Sequence, residues 1–318
     1  MDWRARRERF RALIGAQPDS TAPTAAPTTA PTTAPTTAPT ASTCVHPASV
    51  FDPISARIAE DLGFELGMFA GSTASLTVLG APDLIVLTLS EFAQQALRIN
   101  RACTLPLAVD ADHGYGNALN VRRTVQELET AGVSAMSIED TELPAVFGHA
   151  RSQRLLPLHE GVGKIRAAIE AREDPSLVIC GRTSAAAITS LDDAIARGKA
   201  YQAAGADMLF FVGLKTRAQL DAIASAVQRP IFLGGTSAPE LLDRDYLASR
   251  GVRISLQGHQ AITAGYRAVY DTLRALREGV PPSQLHGLPD AAFMRRVTRD
   301  ADYERWLDDY LDGSENNA

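Results

Sequence analysis

The chain has 318 residues, of which 45% are hydrophobic and 21% are charged, and this composition excludes a disordered or collagen-like protein. Its 37 acidic residues outnumber 31 lysines and arginines, so the net charge of −6 excludes the basic excess of a nucleic-acid-binding protein. Apolar runs too short to cross a bilayer, three scattered cysteines and an N-terminus without an apolar leader predict a soluble, cytoplasmic protein with no membrane partner.

Two different segments precede the main part of the chain. Within residues 1–16, four apolar residues recur at helical spacing among arginines: Trp3, Phe10, Leu13 and Ile14. This spacing predicts an N-terminal amphipathic helix that could dock on the main domain. Residues 17–44 are rich in Thr, Ala and Pro, with APTT repeats, and bury too little apolar surface to offset chain entropy. They are predicted to form a disordered linker.

From Val45 onward, short apolar runs alternate with amphipathic helical stretches, which is typical of repeated βα units. The predicted strands are residues 48–51, 66–70, 105–109, 135–138, 177–180, 208–212, 231–233 and 252–256. The predicted helices between them are residues 90–103, 119–131, 161–172, 191–204, 217–227 and 262–277. This repetition favours a closed (β/α)8 TIM-type barrel over residues 45–278.

Residues 279–318 are predicted to form a proline-bearing linker followed by a last helix at 300–311. One face of this helix is largely aromatic, with Tyr303, Trp306 and Tyr310. Such a face needs a packing partner, either within the same chain or in a second subunit. Because a long tether precedes the helix, we expect it to be exchanged between the subunits of a dimer.

In a parallel barrel the active site lies at the C-terminal ends of the strands, so polar residues there are the candidates. The strongest candidate segment is PLAVDADHGYG at 106–116, where an apolar strand leads into Asp110, Asp112 and a glycine-rich turn. Two alternate carboxylates suit a hard divalent cation, one as direct ligand and one through water. We favour this interpretation over a pair of helix N-caps.

Three other strand ends carry polar groups that would lie on the same face of the barrel. Glu139, in the SIED sequence, either holds a metal-bound water or is a solvated loop acid. Arg182 either grips a substrate carboxylate through two hydrogen bonds or forms a salt bridge at the barrel rim. His259 and Ser72 follow the eighth and second strands and offer an imidazole and a hydroxyl to a substrate oxygen.

These segments together resemble the isocitrate lyase and phosphoenolpyruvate mutase superfamily, and specifically its oxaloacetate decarboxylase family. The resemblance covers about residues 45–312, and its most specific part is DADHGYGNALNV at 110–121. Supporting segments are SVFDPISARIAEDLGFELGMFAGS, SIED, EGVGKIRAAIEAREDPSL and AYQAAGAD. The resemblance implies a helix-exchanged eight-stranded barrel, assembled as a homotetramer of two dimers, with a magnesium-bound α-keto acid at the strand ends.

Matched by position, the resemblance also implies individual roles. Asp110 would be the direct ligand of Mg²⁺, with Mn²⁺ as an alternative cation. The acids that would orient metal-bound waters are Asp52, Asp112 and Glu139. The residues that would contact substrate are Ser72, Arg182 and His259, the last two being catalytic.

The implied reaction is the magnesium-dependent decarboxylation of oxaloacetate to pyruvate and carbon dioxide through a metal-stabilised enolate. Lyases of the superfamily carry a Lys-x-Cys-Gly-His loop after the fourth strand, whereas residues 147–153 here contain no cysteine. Decarboxylation needs no base to remove a carbon-bound proton, so this difference favours the decarboxylase. The alternatives are a carbon–carbon lyase or hydrolase acting on another small α-keto acid or a 2-methylisocitrate-like substrate, and a catalytically silent barrel scaffold.

Two positions depart from the decarboxylase pattern. Residues 234–239 read GGTSAP where a tyrosine is usual, and Ser184 stands where Asn or Asp is more usual. Both changes shorten the polar side chains at the site, so they bear on the identity of the substrate.

Overall fold

The computed structural model describes residues 2–15, 43–148, 152–235 and 238–312. Within these ranges, eight parallel strands form one sheet in the order of the sequence. Val45 pairs with Ile254 in a parallel bridge, so the two edges of the sheet meet and the predicted (β/α)8 TIM-type barrel is confirmed. The strands are β1 (Ala48–Ser49), β2 (Gly67–Phe69), β3 (Leu107–Asp110), β4 (Ala135–Glu139), β5 (Val178–Thr183), β6 (Met208–Phe211), β7 (Ile231–Leu233) and β8 (Val252–Ser255).

Helices follow the strands and surround the barrel. They are α1 (Trp3–Ile14), α2 (Pro53–Asp61), α3 (Gly71–Ala74), α4 (Leu89–Ala102), α5 (Ala118–Thr130), α6 (Leu158–Ala171), α7 (Ala185–Ile188), α8 (Leu191–Ala203), α9 (Arg217–Ala226), α10 (Arg244–Ser249), α11 (Gln260–Arg277), α12 (Ala291–Thr298) and α13 (Asp300–Leu311). A π-helix, Ser75–Leu79, continues α3, and 3₁₀ helices lie at Pro239–Leu241 and Pro282–Gln284.

Each predicted strand and helix has an observed counterpart, and the differences lie at the ends and in the short helices. β5 continues to Thr183, because Gly181 and Arg182 still pair with β6 after the apolar run has ended. The helices α2, α3, α7, α10 and α12 were not predicted, since none is long enough to show a clear apolar period. In particular, α12 replaces part of the linker predicted after residue 279. The predicted linker at 17–44 lies outside the described residues except for Thr43 and Cys44.

Side-chain caps fix where α4 and α5 begin, near the C-terminal ends of the strands. Thr88 and Glu91 cap α4 reciprocally: the Glu91 N–H donates to the Thr88 hydroxyl, and the Thr88 N–H donates to the Glu91 carboxylate. Asn117 and Asn120 form the same arrangement at the start of α5. The cap of α5 therefore fixes the far end of the turn that begins after β3.

The hydrophobic core has two parts. The larger part lies between the sheet and the surrounding helices. The smaller part fills the barrel and includes the stacked rings of Phe210 and Phe232, whose centroids are 4.1 Å apart. Phe10, Leu13 and Ile14 of α1 belong to this inner part, so α1 docks across the N-terminal end of the barrel.

The arginines of α1 are buried together with its apolar face. Arg11 pairs with Asp207 at 3.0 Å and donates to backbone carbonyls just before β5. Arg7 pairs with Asp174 at 2.8 Å and donates to the Val133 carbonyl. These guanidinium groups donate to buried carbonyl and carboxylate oxygens, and buried polar groups of this kind need hydrogen-bond partners. The end of the barrel opposite the strand C-termini is thus closed.

The C-terminal helices leave much of their apolar surface uncovered. Of the 18 residues of α11 only Ile262 is buried, and α13 has no buried residue. The exposed side chains of α11 and α13 include Tyr266, Val269, Tyr270, Leu273, Tyr303, Trp306, Leu307 and Tyr310. By contrast, α12 packs on α2, where Arg57 donates to the carbonyls of Val297 and Thr298. A cluster of exposed apolar side chains like that on α11 and α13 is typical of a protein–protein interface.

Two further features concern the whole described part of the chain. Cys44, Cys103 and Cys180 are buried and unpaired. No described helix combines the length and the apolar composition needed to cross a bilayer.

Candidate active site

The C-terminal ends of β3, β4 and β5 bring three of the predicted residues together. Asp110 is the last residue of β3, Glu139 is the last residue of β4, and Arg182 lies near the end of β5. Glu139 and Arg182 are direct partners across the two strands, which places both side chains on the same side of the sheet. The strand register alone therefore assembles the centre of the candidate site.

Arg182 lies between two carboxylates. Its guanidinium bonds to Asp110, and its Nη2 is 3.1 Å from Glu139 Oε2. The guanidinium carbon lies 5.2 Å from the centre of the Phe210 ring. Burial lowers the pKa of Arg182, but Asp110 and Glu139 more than offset this, so the pKa is raised and the side chain stays charged. Arg182 therefore forms a salt bridge, which was one of the two alternatives predicted for it. Its side chain does not lie on the outer rim of the barrel, however, but lines a cleft at the strand ends.

Asp110 is held in place from its other side by β4. The Ser137 hydroxyl donates to Asp110 Oδ1 at 2.8 Å, and Ser137 is the cross-strand partner of Asp110. One carboxylate oxygen is thus fixed by a neutral donor while the other faces Arg182. Both carboxylate oxygens of Asp110 are therefore oriented by side-chain donors from the neighbouring strands.

Asp112 lies in the turn after β3, in a backbone conformation that residues other than glycine rarely adopt. Its φ is 49°, and the φ of Tyr115 is 59°. The turn brings the Asp112 carboxylate against Gly71, where an added Cβ would lie 2.6 Å from Oδ1. Burial, followed by the charges of Asp110 and Glu139, raises the pKa of Asp112 well above its ordinary value. The close approach to Gly71 explains why a residue without a side chain occupies that position.

Asp83 joins these acids but was not predicted. Burial, followed by the Asp110 charge, raises the pKa of Asp83. It lies in the loop before α4, next to Leu84 and to Ile85, whose φ of 58° is strained for a β-branched residue. No apolar strand precedes Asp83, so the strand-end rule gave no signal, and the strained turn was not visible in the sequence. Asp83, Asp110, Asp112 and Glu139 are called the acid cluster below.

With all four carboxylates ionised, the acid cluster would carry more negative charge than Arg182 alone can balance. Burial raises the pKa of Glu139 to about 7; Arg182 opposes this shift and Asp110 adds to it. Among the described residues, no three Asp, Glu, His or Cys side chains are arranged to hold a metal ion directly. Mg²⁺ usually binds through one or two carboxylates and keeps several waters. The chemistry of the cluster fits such a cation: one carboxylate would be its ligand and the others would accept hydrogen bonds from its waters.

A cleft of about 310 Å³ opens above the acid cluster. Its walls come from the loop before α4 and from the loop between β4 and α6, which supplies the apolar residues Leu143 and Val146. Ser184, one of the two departures from the decarboxylase pattern, also lines it. A larger cavity of about 570 Å³ lies beside the end of α1, away from the strand ends that carry the acids. We assign the site to the smaller cleft because the charged groups converge there.

The other predicted residues lie around this centre. His259 Nδ1 is 2.8 Å from the Ser49 hydroxyl, and burial lowers the pKa of His259 although Asp110 and Asp83 oppose the shift. Ser72 is half-buried in α3, next to Gly71. Asp52 caps α2, where it accepts the Ser55 N–H at 2.6 Å. His259, Ser72 and Asp52 do not line the cleft, and their assigned roles stay predictions.

A family model described as phosphoenolpyruvate phosphomutase matches residues 40–277. The chain belongs to the phosphoenolpyruvate phosphomutase family. The resemblance of its sequence segments to the isocitrate lyase and phosphoenolpyruvate mutase superfamily is therefore confirmed.

The chain is also similar to curated proteins that share one name, oxaloacetate decarboxylase. A protein of Bradyrhizobium sp. (strain ORS 278) named oxaloacetate decarboxylase is 60% identical over 268 residues, which are 84% of this chain and 92% of that protein. A protein of Bradyrhizobium diazoefficiens with the same name is 62% identical over 81% of this chain and 89% of its own length. Another from Rhodopseudomonas palustris (strain BisB18) is 56% identical over 95% of both chains.

Solved structures of the phosphoenolpyruvate phosphomutase family have the same fold. Phosphoenolpyruvate phosphomutase from Streptomyces platensis subsp. rosaceus is similar with a TM-score of 0.78 at 25% identity, covering 96% of this chain and 99% of that chain. A phosphonopyruvate hydrolase in complex with oxalate and Mg²⁺ has a TM-score of 0.78 at 26% identity, with the same coverage. The second structure supports a divalent cation in this family.

Proposed function

We propose that this protein is an oxaloacetate decarboxylase that releases carbon dioxide and leaves pyruvate. The observation that carries this conclusion is the identity of about 60% to proteins of that name over most of both chains. Asp110, Glu139 and Arg182 at the strand ends would supply the chemistry that such an enzyme needs. The same proposal assigns Mg²⁺ as the cation, with Mn²⁺ as an alternative, and the cytoplasm as the location.

The side chains at the strand ends have distinct tasks in this reaction. When bound, a divalent cation supplies a Lewis acid for the keto oxygen of the substrate. Asp110 would hold the cation, and Asp112 and Glu139 would accept hydrogen bonds from its waters. Arg182 would bind the carboxylate next to the keto group, since its fork matches a carboxylate.

His259 and the cleft walls have supporting tasks. In the tautomer in which the Ser49 hydroxyl donates to His259 Nδ1, the neutral imidazole carries its proton on Nε2 and would donate it to a substrate oxygen. The lowered pKa of His259 keeps the ring neutral at pH 7. Apolar residues of the two loops that line the cleft, such as Leu84 and Val146, would reduce the contact of the departing carboxylate with water.

Decarboxylation is favoured over the lyase alternative by the loop after β4. That loop, at 147–153, has no cysteine to transfer a proton, and loss of carbon dioxide breaks a carbon–carbon bond without removing a carbon-bound proton. A catalytically silent scaffold would have no use for several acids buried around one arginine, because an uncompensated buried charge is costly.

The experiment that tests the function follows oxaloacetate loss and pyruvate formation with purified protein. We expect pyruvate in excess of the spontaneous metal-catalysed reaction, with Mg²⁺ or Mn²⁺ present, and no excess in the presence of EDTA. The matched blank contains the same cation without protein. Pyruvate formation no faster than this blank, with turnover of a 2-methylisocitrate-like substrate instead, would contradict the proposal in favour of the lyase.

We also propose that the C-terminal helices are exchanged between subunits and that two such dimers form a tetramer. The exposed apolar faces of α11 and α13 support this arrangement. Wild-type protein should have a mass of about 136 kDa by light scattering, four times the 34.0 kDa chain. Leu273→Asp on α11 should reduce the mass, whereas Leu119→Asp on α5, at another exposed leucine, should not. A wild-type mass of one chain would refute the exchange.

A further inference from the structure

Two side chains of α8 converge on the residue that follows Glu139. Tyr201 Oη donates to Asp140 Oδ2 at 2.6 Å, and Arg197 Nη1 donates to the same oxygen at 3.0 Å. Tyr201, Arg197 and Asp140 are only 1%, 6% and 2% exposed. The group lies behind the acid cluster, on the side of the sheet that faces the helices, and has no access to substrate.

Tyr201 also contacts the strand that carries Arg182. A Cβ added to Gly181 would lie 2.9 Å from Tyr201 Cβ, and one added to Gly161 would lie 2.5 Å from Tyr201 Oη. The tyrosine is thus wedged between β5 and α6, where both neighbours are glycines. Since Gly181 directly precedes Arg182, this side chain supports both strands whose ends carry the Glu139–Arg182 ion pair.

Arg197 reaches the base of the loop that walls the cleft. Its Nη1 donates to the Leu156 carbonyl at 3.0 Å, and the Leu156 N–H donates to the Asp140 carbonyl at 2.8 Å. The Glu142 N–H donates to the Arg154 carbonyl at 2.8 Å. The two stems of the loop are therefore held together at Asp140. Between these stems lie the cleft residues Leu143, Ala145, Val146, Ser152 and Gln153.

Asp140 joins two parts of the site: Glu139 in the acid cluster and the loop over the cleft. We propose that Arg197 and Tyr201 are positioning residues that act through Asp140 to set both the Glu139–Arg182 pair and the loop. This proposal rests on the proposed function for its kinetic consequences. Buried ionic groups can often be replaced by apolar residues without loss of stability, so their presence here is consistent with a demand for orientation. Neither residue touches substrate.

The test compares two Tyr→Phe variants that each remove one hydroxyl bonded to a carboxylate. Tyr201→Phe should lower kcat about 10- to 100-fold, the usual effect of removing a group that orients a metal-site residue, with KM changed less than about twofold. It should also weaken Mn²⁺ binding to the substrate-free protein, measured by electron paramagnetic resonance. The control is Tyr246→Phe on α10. The Tyr246 hydroxyl donates to Asp221 at 2.9 Å, neither residue lines the cleft, and this variant should leave kcat and Mn²⁺ affinity unchanged.

A second pair of variants tests the guanidinium. Arg197→Lys keeps a charge beside Asp140 and should retain more kcat and more Mn²⁺ affinity than Arg197→Met. Wild-type kcat and Mn²⁺ affinity in Tyr201→Phe would overturn the proposal, as would a kcat loss fully explained by the unfolded fraction in a urea titration. If the wild-type protein fails to decarboxylate oxaloacetate, the proposed function fails, and the Mn²⁺ comparison still decides whether these residues position the acid cluster.

Discussion

Replacing Asp110 with Asn should abolish metal-dependent pyruvate formation. The loss should exceed the ~10- to 100-fold effect of removing a group that only supports a metal ligand, because Asp110 is the proposed ligand itself. Asparagine keeps the volume and can still accept the hydrogen bond from Ser137, so the strand ends should stay in place. The measurements are kcat/KM over a Mg²⁺ titration and Mn²⁺ binding without substrate.

The matched control is Asp243→Asn, which changes an exposed helix cap on α10 and should leave the kinetics unaltered. Half-maximal activity at an unchanged Mg²⁺ concentration in the Asp110 variant would remove Asp110 from the metal site. Asp112 would then be the next carboxylate to change, since it lies in the same turn.

Arg182→Gln should be nearly as damaging, and for two separate reasons. Loss of the guanidinium removes the proposed partner of a substrate carboxylate, for which we expect kcat/KM to fall about 10²- to 10³-fold. It also leaves Asp110 and Glu139 without a counter-charge, and breaking a buried ion pair costs about 3–5 kcal/mol. Urea unfolding in EDTA should report the second effect, and coupled assays with Mg²⁺ should report the first.

The two effects of Arg182→Gln can be separated by adding cation. Mn²⁺ should restore part of the lost stability, since a ligand that binds only the folded state stabilises it, but should not restore kcat/KM. Arg182→Lys keeps the charge without the planar fork, so it should be as stable as wild type and still impaired in catalysis. Equal impairment of stability and activity in both variants would mean that Arg182 is structural only.

The sequence predicts a site residue when that residue directly follows an apolar strand. Asp110, Glu139 and Arg182 come at the end of such runs, so their position after the strands predicts that they lie together. Asp83 reaches the same cleft from a loop through the strained conformation at Ile85, which no periodic pattern reveals.

Residues that support the site from behind were also hidden in the sequence. Arg197 and Tyr201 lie in α8 at positions that look like any polar and aromatic residues of a surface helix, and only the packing against Gly161 and Gly181 distinguishes them. Likewise, the arginines of α1 are of a type that is mostly exposed, and Arg7 and Arg11 are buried only because carboxylates from distant segments meet them.

The closure of the barrel by α1 has a consequence for how the protein is made. Arg7 is separated along the chain from Asp174 by 167 residues, and Arg11 from Asp207 by 196. A ribosome releases the N-terminus first, so α1 emerges long before the strands on which it docks have been synthesised. During that interval its apolar face and its guanidinium groups have no native partners. Completion of the barrel therefore waits for most of the chain, which favours slow, largely post-translational folding.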